Sequence, residues 1–308
     1  MINIYFLGDS FEEIFNDIRQ DMMLADEVKA RGMLTKELLN VTICLKNPRA
    51  RLIFSESRKF NYAFSVAEMF SHMAGINSVK YMSFWNSNYA QFSDNGINFY
   101  GNYGERLRNF IPEIIKKLKS DKNTRQATLT IYNSNDLIKK SLDIPCTIVL
   151  DFKLRKDKLH MHVFMRSNDL IWGLMYDLAV FTMMQEIIAN SLNVGLGFYN
   201  HTACSLHVYE KHWLLLDKMY DAINVPMLDI KENYEQILYG ARIAQEIIEY
   251  PSDNIYVSHL LQALALYGIK KNKQVNYKNE LKRHLMEAPE FLIKMMRLEN
   301  YMGGNNGK

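Results

Sequence analysis

The sequence predicts an α/β (α+β) fold in which a long buried helix packs against a mixed sheet. Two strand-length segments, Cys146–Leu154 and Leu159–Ser167, flank a polar turn at 155–158, which is typical of a hairpin. The apolar run Asp169–Leu192 predicts a helix that is buried on most sides. The period-two alternation of Thr202–Tyr209 predicts a further strand, with His207 and Tyr209 on one face.

Helices and shorter strands are predicted before this central stretch. Residues 10–40 are expected to be helical behind a cap at Asp9–Ser10, and Leu39–Leu45 is expected to form a short strand. Ala63–Met73 is expected to be a helix. The segment 87–104 is rich in Asn, Gly and Tyr and has no period, which predicts a long functional loop.

The part of the chain after Leu228 predicts three helices and a polar tail at 303–308. About 80 residues are enough for a small separate unit. We therefore divide the chain into a catalytic domain, 1–225, and a C-terminal helical extension, 226–308.

Composition excludes several classes of protein. The chain has 308 residues, of which 48% are hydrophobic and 23% charged, an ordinary globular balance. A net charge of +3 is too small to favour nucleic-acid binding. The sequence has no apolar run of the ~20 residues that a membrane helix needs. Three cysteines without a CxxC motif predict neither disulfides nor a zinc site, so we expect a cytoplasmic protein.

Cys146 is the candidate nucleophile. A lone cysteine is more often a small buried hydrophobic residue. However, Pro145 fixes the backbone before Cys146, and the hairpin brings Arg166 to the same end of the ladder. A nearby cation lowers the pKa of a thiol and increases the reactive thiolate. Cys44 and Cys204 lack such neighbours and are interpreted as structural.

Arg166 ends a strand whose inward residues are apolar. An arginine is seldom buried without a partner. One interpretation is an ion pair with Asp169. The other is a phosphate clamp, because the planar guanidinium suits bidentate contact with an oxyanion. Arg125, in a turn before a strand, is a candidate for the same anion.

Glu68 and Asp177 are carboxylates within apolar helical segments. Each lies either at a helix edge in water or in a cleft, and the sequence leaves both open. In a cleft, burial would raise the pKa toward the range useful for proton transfer. A buried carboxylate needs a hydrogen-bond donor, which an amino-bearing ligand would supply to Asp177.

Two other patterns predict no function. His160 and His162 alternate on one strand face, but no third ligand stands at a useful spacing, so we predict no metal site. Gly195 and Gly197 lack the third glycine of a dinucleotide-binding loop.

Six motifs in one order resemble the thymidylate synthase superfamily, and most closely its phage-type deoxycytidylate hydroxymethylase branch. The resemblance spans roughly residues 49–212. In chain order, the motifs are Glu68 in its helix; Tyr103 and Gly104; Asp121 to Arg125; Pro145 and Cys146; Arg166 to Asp169 with Gly173 and Asp177; and Ser205 to Tyr209 with His212. One such motif would be weak, whereas the ordered set is specific.

The resemblance implies the chemistry. Cys146 resembles the nucleophile that adds to C6 of a pyrimidine ring, after which C5 attacks the one-carbon unit of 5,10-methylenetetrahydrofolate. Glu68 resembles the carboxylate that moves protons through ordered water. Asp169 and Gly173 belong to the expected folate-binding set, and Trp85 either faces the folate or lies in the core.

The resemblance also implies the binding residues for a nucleoside monophosphate. Arg166 and Ser167 match its phosphate holders, and Arg125 matches an arginine that reaches the phosphate of a partner subunit, which implies a homodimer. Either Arg49 or Arg51 matches a mobile phosphate arginine. His207 and Tyr209 match the pair that binds the sugar 3′-hydroxyl, and Tyr103 lines the same cleft.

Asp177 indicates a cytosine nucleotide within this resemblance. Synthases that act on deoxyuridylate carry an asparagine there. A carboxylate accepts from the 4-amino group of cytosine, and when protonated it also donates to N3. The polar tail differs from the apolar tail with which synthases close over the folate, and so favours addition of water rather than hydride. We expect hydroxymethylation of dCMP; the alternatives are CMP hydroxymethylation, thymidylate synthesis from dUMP, and a catalytically silent relative.

Overall fold

The computed structural model describes residues 4–251, 256, 258–273 and 276–302. The strands are β1 Ile4–Gly8, β2 Glu27–Ala30, β3 Met33–Leu45, β4 Ile53–Phe54, β5 Thr128–Thr130, β6 Thr147–Arg155, β7 Lys158–Met165, β8 Asn168–Asp169, β9 Gly195–Tyr209 and β10 Ile223–Asn224. The α-helices are α1 Phe11–Leu24, α2 Tyr62–Ala74, α3 Val79–Trp85, α4 Tyr103–Leu107, α5 Ile111–Ser120, α6 Met175–Leu192, α7 Trp213–Lys218, α8 Tyr234–Glu246, α9 His259–Asn272, α10 Tyr277–Leu285, α11 Glu290–Met295 and α12 Glu299–Met302. The predicted tail at 303–308 lies outside the described residues.

A mixed sheet forms the centre, in the order β1-β3-β9-β7-β6-β5, with β2 on β3 and β8 on β9. β1 pairs with β3 and β7 with β9 in parallel, whereas β3 with β9 and β6 with β7 are antiparallel. The predicted α/β fold on a mixed sheet is therefore confirmed. The predicted hairpin is also confirmed, because Thr147 pairs with Met165 and Arg155 with Lys158.

The sheet is covered by helices on one face. α1 packs on β1 and β3, and α6 packs on β7 and β9. A π-helical turn, Leu170–Leu174, leads into α6. The segment Leu170–Leu192 is apolar and long enough to cross a bilayer, but 83% of its most apolar window is buried inside the protein. This burial is typical of a helix at the core of a globular fold.

The prediction of a helix over 10–40 was wrong beyond residue 24. The chain instead turns at Arg31 and Gly32 into the β2–β3 hairpin. Both residues have positive φ (49° and 82°), a conformation that glycine adopts at no steric cost. The predicted loop at 87–104 also contains a short 3₁₀-helix, Ser87–Phe92, and the start of α4.

The C-terminal helices pack on the rest of the chain. α8 and α9 both contact α2, and the described residues from 234 to 302 form five helices rather than the three predicted. The division at residue 225 remains a prediction.

A cluster of charged side chains links α6 to the segment before β4 and to the segment before α8. Arg51 forms an ion pair with Glu186, and the side chains of both are fully buried. Arg49 Nε lies 2.6 Å from the same carboxylate and 3.0 Å from Asp229. The backbone N–H of Ile230 donates to Glu186 at 3.3 Å. The carboxylate therefore compensates a guanidinium that has no access to water.

We expect Glu186→Gln to destabilise the fold by about 3–5 kcal/mol, because it leaves the buried Arg51 cation without a counter-charge. Urea unfolding of both proteins would measure this loss. Glu249→Gln, which breaks the exposed pair of Glu249 with Lys80, serves as the matched control and should cost less than about 1 kcal/mol. Equal effects of the two variants would contradict a structural role for the buried pair.

Candidate active site

Cys146 lies immediately before β6 and is half-buried against the core. The Tyr103 hydroxyl, at the start of α4, accepts from the backbone N–H of Cys146 at 3.2 Å and of Thr147 at 3.1 Å. The Tyr103 ring packs on His72 and on Phe181 of α6. The backbone on both sides of the thiol is thus held by a side chain that is itself fixed by packing.

Burial and neighbouring charges shift the pKa of the Cys146 thiol in opposite directions. Burial raises the pKa of Cys146, and the charges of Asp177 and Asp143 raise it further. Arg166 and Arg31 lower it, but burial has the larger effect. The expectation that a cation would leave the thiol more acidic than usual was therefore wrong in its net direction, although Arg166 acts as predicted.

Arg166 lies at the same end of the ladder as Cys146, as predicted, and its backbone N–H donates to the Cys146 carbonyl at 2.9 Å. Its side chain donates to the carbonyls of Pro145 at 2.9 Å and Ile144 at 3.0 Å. Among the described residues it forms no ion pair with Asp169, so that interpretation was wrong. Ser167 follows it and is half-buried. The guanidinium remains exposed and directed by neutral carbonyls, which leaves its charge available for an anion.

The structure places both candidates for the mobile phosphate arginine, Arg49 and Arg51, in ion pairs, and the assignment remains a prediction. Both guanidinium groups bind Glu186, which lies nine residues after Asp177 on α6. That spacing corresponds to about 13 Å along the helix axis. The buried carboxylate binds both guanidinium groups in this structure.

Arg31 is the cation that the sequence analysis missed. It lies at the β2–β3 turn, is exposed, and its charge lowers the pKa of the Cys146 thiol. The sequence signal was the pair Arg31-Gly32, which the prediction of a continuous helix concealed. The site therefore has exposed arginines from two separate hairpins.

Arg125 does not reach Cys146 within one chain. It is exposed and precedes β5, whose first residue, Thr128, pairs with Asp151 in the middle of β6. The antiparallel register continues Arg125 toward the end of β6 that lies away from Cys146. Its role toward a partner subunit remains a prediction.

Glu68 lies in the middle of α2, where it is half-buried between fully buried neighbours. The Tyr89 hydroxyl donates to Glu68 Oε1 at 3.4 Å. Burial raises the pKa of Glu68 to about 8, and the nearby charge of Asp177 contributes to this rise. Of the two positions left open by the sequence, the structure shows the cleft, where a carboxylate can hold a proton near neutral pH.

Asp177 lies in the first turn of α6 and is half-buried. Asn168 Nδ2 donates to Asp177 Oδ2 at 2.7 Å. Burial raises the pKa of Asp177 to about 7, whereas the hydrogen bond from Asn168 lowers it. A Cβ at Gly173 would approach Asn168 Nδ2 to 2.6 Å and Asp177 Oδ2 to 3.5 Å. Gly173 thus leaves room for the Asn168–Asp177 contact. Its folate-binding role remains a prediction.

His207 and Tyr209 lie on one face of β9, as predicted, with their ring centroids 5.1 Å apart. His207 pairs with Asp169 across the parallel β8–β9 ladder. The Asp169 carboxylate accepts from the backbone N–H groups of Ile171 at 2.7 Å and Trp172 at 2.8 Å, and so caps the turn before α6. The structure brings these three residues together.

Of the two positions left open for Trp85, facing the folate or in the core, the structure shows the core. Its side chain is fully buried and packs against Tyr81, Phe84 and Tyr267. Because these rings enclose the indole, it offers no surface to a ligand.

The exposed tryptophan of the site is Trp172, which the sequence analysis did not select. The Arg58 guanidinium lies 3.8 Å from its ring centre, and its Nε1 is 3.0 Å from His212 Nε2. The backbone N–H of Trp172 donates to Asp169, and Trp172 is 47% exposed beside it. Within the described ranges, no cluster of His, Cys, Asp and Glu suits a metal ion.

A family model described as thymidylate synthase matches residues 10–302. The chain belongs to the thymidylate synthase family. This match includes the C-terminal helices that the sequence analysis placed outside the resemblance.

Curated relatives give a finer comparison. A deoxyuridylate hydroxymethyltransferase of Bacillus phage SP01 is 38% identical over 223 residues, covering 66% of this chain and 58% of the relative. A protein of the same name from Pseudomonas phage M6 is 32% identical, covering 63% and 55%. A thymidylate synthase of Buchnera aphidicola subsp. Baizongia pistaciae is 23% identical, covering 72% and 81%. The chain spans little more than half the length of these phage relatives.

The raised pKa values of Glu68 and Asp177 predict a pH-dependent cost of folding. The unfolded carboxyl groups titrate near pH 4, so between about pH 4 and 8 the unfolded state loses protons that the folded state keeps. Stability contributed by these groups is thus full below pH 4 and lost as the pH rises to 8.

We compare the free energy of unfolding of Asp177→Asn with that of the unsubstituted protein. The difference should move in favour of the variant by about 1–3 kcal/mol between pH 5 and pH 8. Urea unfolding at both pH values measures the difference. Asp17→Asn, an exposed position on α1, controls for the loss of a charge. A pH-independent effect of Asp177→Asn would contradict the buried, proton-holding carboxyl.

Proposed function

We propose that this protein transfers a one-carbon unit from 5,10-methylenetetrahydrofolate to C5 of deoxycytidine monophosphate and yields the 5-hydroxymethyl nucleotide. The observation that carries the proposal is the half-buried carboxyl group of Asp177. It accepts a hydrogen bond from Asn168, and its charge raises the pKa of Cys146. We propose a cytoplasmic location for the reaction. The folate supplies the carbon at the oxidation level of formaldehyde.

The reaction begins with Cys146. Its thiolate adds to C6 of the pyrimidine, which places negative charge at C5 and makes that carbon a nucleophile. Because the free thiol is less acidic than usual, the proton must leave during binding or attack. The charges of Arg166 and Arg31 favour the thiolate. After the carbon unit is attached, loss of the C5 proton breaks the bond between the transferred carbon and the folate nitrogen, and tetrahydrofolate leaves. Water adds to the methylene group that remains on C5, and elimination of the Cys146 thiolate from C6 restores the ring.

The other residues orient the nucleotide and handle its protons. Arg166 and Arg31 are exposed cations near the thiol and would hold the 5′-phosphate, with Ser167 beside them. His207 and Tyr209 present polar ring atoms on one strand face toward the sugar. Glu68, whose pKa is about 8, can both accept and return a proton at neutral pH. Asp169 and Trp172 would contact the pterin.

The choice of cytosine depends on Asp177. An asparagine at this place can donate to O4 and accept from N3–H of uracil, whereas a carboxyl group accepts from the 4-amino group and, when protonated, donates to N3. Since the pKa of Asp177 is about 7, the protonated form is available at neutral pH. A mispaired buried group costs about 1–3 kcal/mol, or roughly 10-fold to more than 100-fold in selectivity.

The rival substrate is deoxyuridine monophosphate, which the names of the two phage relatives favour. Hydroxymethylation of dUMP uses the same thiol and folate and differs only at the edge that Asp177 faces. CMP is a further alternative, because no residue placed here reads the 2′ position. Thymidylate synthesis would need hydride in place of water.

We also propose a homodimer that covers the open face of the sheet. The outward side chains of β1, β7 and β9 include the exposed apolar residues Tyr5, Leu7, Phe164 and Phe198. The ladder pairings place them on one face, opposite α6. The register places Thr42 and Thr202 between Tyr5 and Phe164. An exposed sheet face with several large apolar side chains is typical of an interface. In the proposed dimer, Arg125 of one chain binds the phosphate in the site of the other.

Cys146→Ser should abolish release of tritium from C5-labelled dCMP in the presence of methylenetetrahydrofolate, because a hydroxyl is a far weaker nucleophile at neutral pH. Cys204→Ser, at an exposed cysteine on β9, is the matched control and should retain activity. Unchanged turnover in Cys146→Ser would remove the thiol from the mechanism. Absence of turnover in the unsubstituted protein would favour a silent relative.

Asp177→Asn should shift the ratio of kcat/KM for dCMP over dUMP toward dUMP by roughly 10-fold to 100-fold. Tritium release measures the ratio, and the product mass distinguishes a hydroxymethyl from a methyl group. Glu68→Gln serves as the comparison, because it should slow both substrates without changing their ratio. Preference of the unsubstituted protein for dUMP would overturn the assignment of dCMP.

A further inference from the structure

Three buried polar residues lead from the sheet to Asp177 and have no part in the mechanism above. Tyr199 and His201 lie on β9 and are fully buried, and Asn168 on β8 is almost fully buried. The Tyr199 hydroxyl is 3.0 Å from His201 Nδ1. His201 Nε2 is 3.0 Å from Asn168 Oδ1, and Asn168 Nδ2 is 2.7 Å from Asp177 Oδ2. We call this series of contacts the Tyr199–Asn168 chain.

The Tyr199–Asn168 chain has one arrangement in which every link has a donor and an acceptor. The tyrosine hydroxyl donates to Nδ1, Nε2–H donates to the Asn168 carbonyl, and the Asn168 amide donates to Asp177. Burial lowers the pKa of His201 to about 3, so its ring is neutral and carries a single proton.

The reversed arrangement leaves one proton without an acceptor. If Nδ1 carried the proton, it would donate to the Tyr199 oxygen, and the tyrosine proton would have no acceptor among the described residues. An unsatisfied buried donor is unfavourable. The phenol therefore selects the imidazole tautomer, and the tautomer selects which side of the Asn168 amide faces Asp177.

This selection makes the two oxygens of Asp177 different. Oδ2 accepts from Asn168, while Oδ1 has no hydrogen-bond partner within the described part of the chain. An oxygen that already accepts a strong hydrogen bond is the poorer site for a proton. When the carboxyl group is protonated, its proton is thus directed to Oδ1.

A protonated carboxyl group without such a constraint would pair with either pyrimidine. Cytosine needs an acceptor at its 4-amino group and a donor at N3, and uracil needs a donor at O4 and an acceptor at N3–H. A proton free to sit on either oxygen would satisfy both bases equally. We propose that Tyr199, His201 and Asn168 are specificity-determining positioning residues, which fix the proton of Asp177 on one oxygen and so allow the site to distinguish cytosine from uracil.

The proposal rests on the proposed function, in that Asp177 reads the far edge of the base. It predicts that loss of the Tyr199–Asn168 chain relaxes the choice between the two bases rather than lowering turnover of both. Tyr199→Phe removes only the hydroxyl that anchors the tautomer. His201→Gln can keep a donor toward Asn168, whereas His201→Leu cannot.

The test is the ratio of kcat/KM for dCMP and dUMP, measured by tritium release from C5 with methylenetetrahydrofolate. Tyr199→Phe should move the ratio toward one by about 3-fold to 10-fold, mainly by improving the poorer substrate. His201→Leu should move it by about 10-fold to 100-fold, and His201→Gln should restore most of the preference. Tyr81→Phe, another buried tyrosine whose hydroxyl bonds to the Ala67 carbonyl, should leave the ratio unchanged.

An equal loss of kcat/KM for both nucleotides in Tyr199→Phe would overturn the proposal, because that is the result of a purely structural role. If His201→Leu does not fold, Tyr199→Phe decides, since it removes one oxygen. The ratio of dissociation constants for dCMP and dUMP, measured by calorimetry, gives the same test without turnover. If the unsubstituted protein prefers dUMP, the proposed substrate is wrong. The role of the Tyr199–Asn168 chain is rejected only if Tyr199→Phe leaves the ratio of the two nucleotides unchanged.

Discussion

The site is organised around three acidic groups that are partly withdrawn from water, which raises the pKa of each. Cys146, Glu68 and Asp177 come from three different elements, and the charge of Asp177 acts on the other two. Burial alone disfavours ionisation of each group, and a neighbouring negative charge adds to this. The folded protein therefore holds protons near neutral pH that exposed groups would have released. In the proposed reaction, these groups accept and return the protons.

The protein stabilises this arrangement with uncharged hydrogen-bonding groups rather than buried cations. The Tyr103 hydroxyl binds the backbone at Cys146, Tyr89 binds Glu68, and Asn168 binds Asp177. A buried cation beside either carboxylate would fix it in the charged form and remove its ability to exchange a proton. The arginines are placed at the exposed edge, where an anionic substrate meets them. The position of each charge thus agrees with a division into a proton-handling interior and an anion-binding rim.

Much of the central architecture could be predicted from periodicity. The hairpin around residues 155–158, the helix up to Leu192 and the strand ending at Tyr209 follow directly from patterns of two and of three to four. The β2–β3 hairpin was missed, because the helical pattern of α1 was extended across Arg31 and Gly32. That error also concealed the arginine near the thiol.

Contacts between distant parts of the chain were beyond the sequence patterns. No local sequence pattern predicts that Glu186 on α6 forms ion pairs with Arg49 and Arg51. None predicts that Tyr267, from a C-terminal helix, packs against Trp85. The balance at Cys146 was also unpredictable, because burial and nearby arginines act in opposite directions and only the three-dimensional arrangement shows which effect is larger.

Glu186 has a consequence for how related chains could exchange segments. Its carboxylate accepts from Arg49, Arg51 and the backbone of Ile230, and Asp229 shares Arg49. A chimera joined at residue 225 would separate Asp229 and Ile230 from the partners with which they were selected. A junction after Asn233, the residue that caps the N-terminus of α8, would keep these five residues in one segment. Recombination within the family should therefore tolerate breakpoints inside the helical region better than at its apparent boundary.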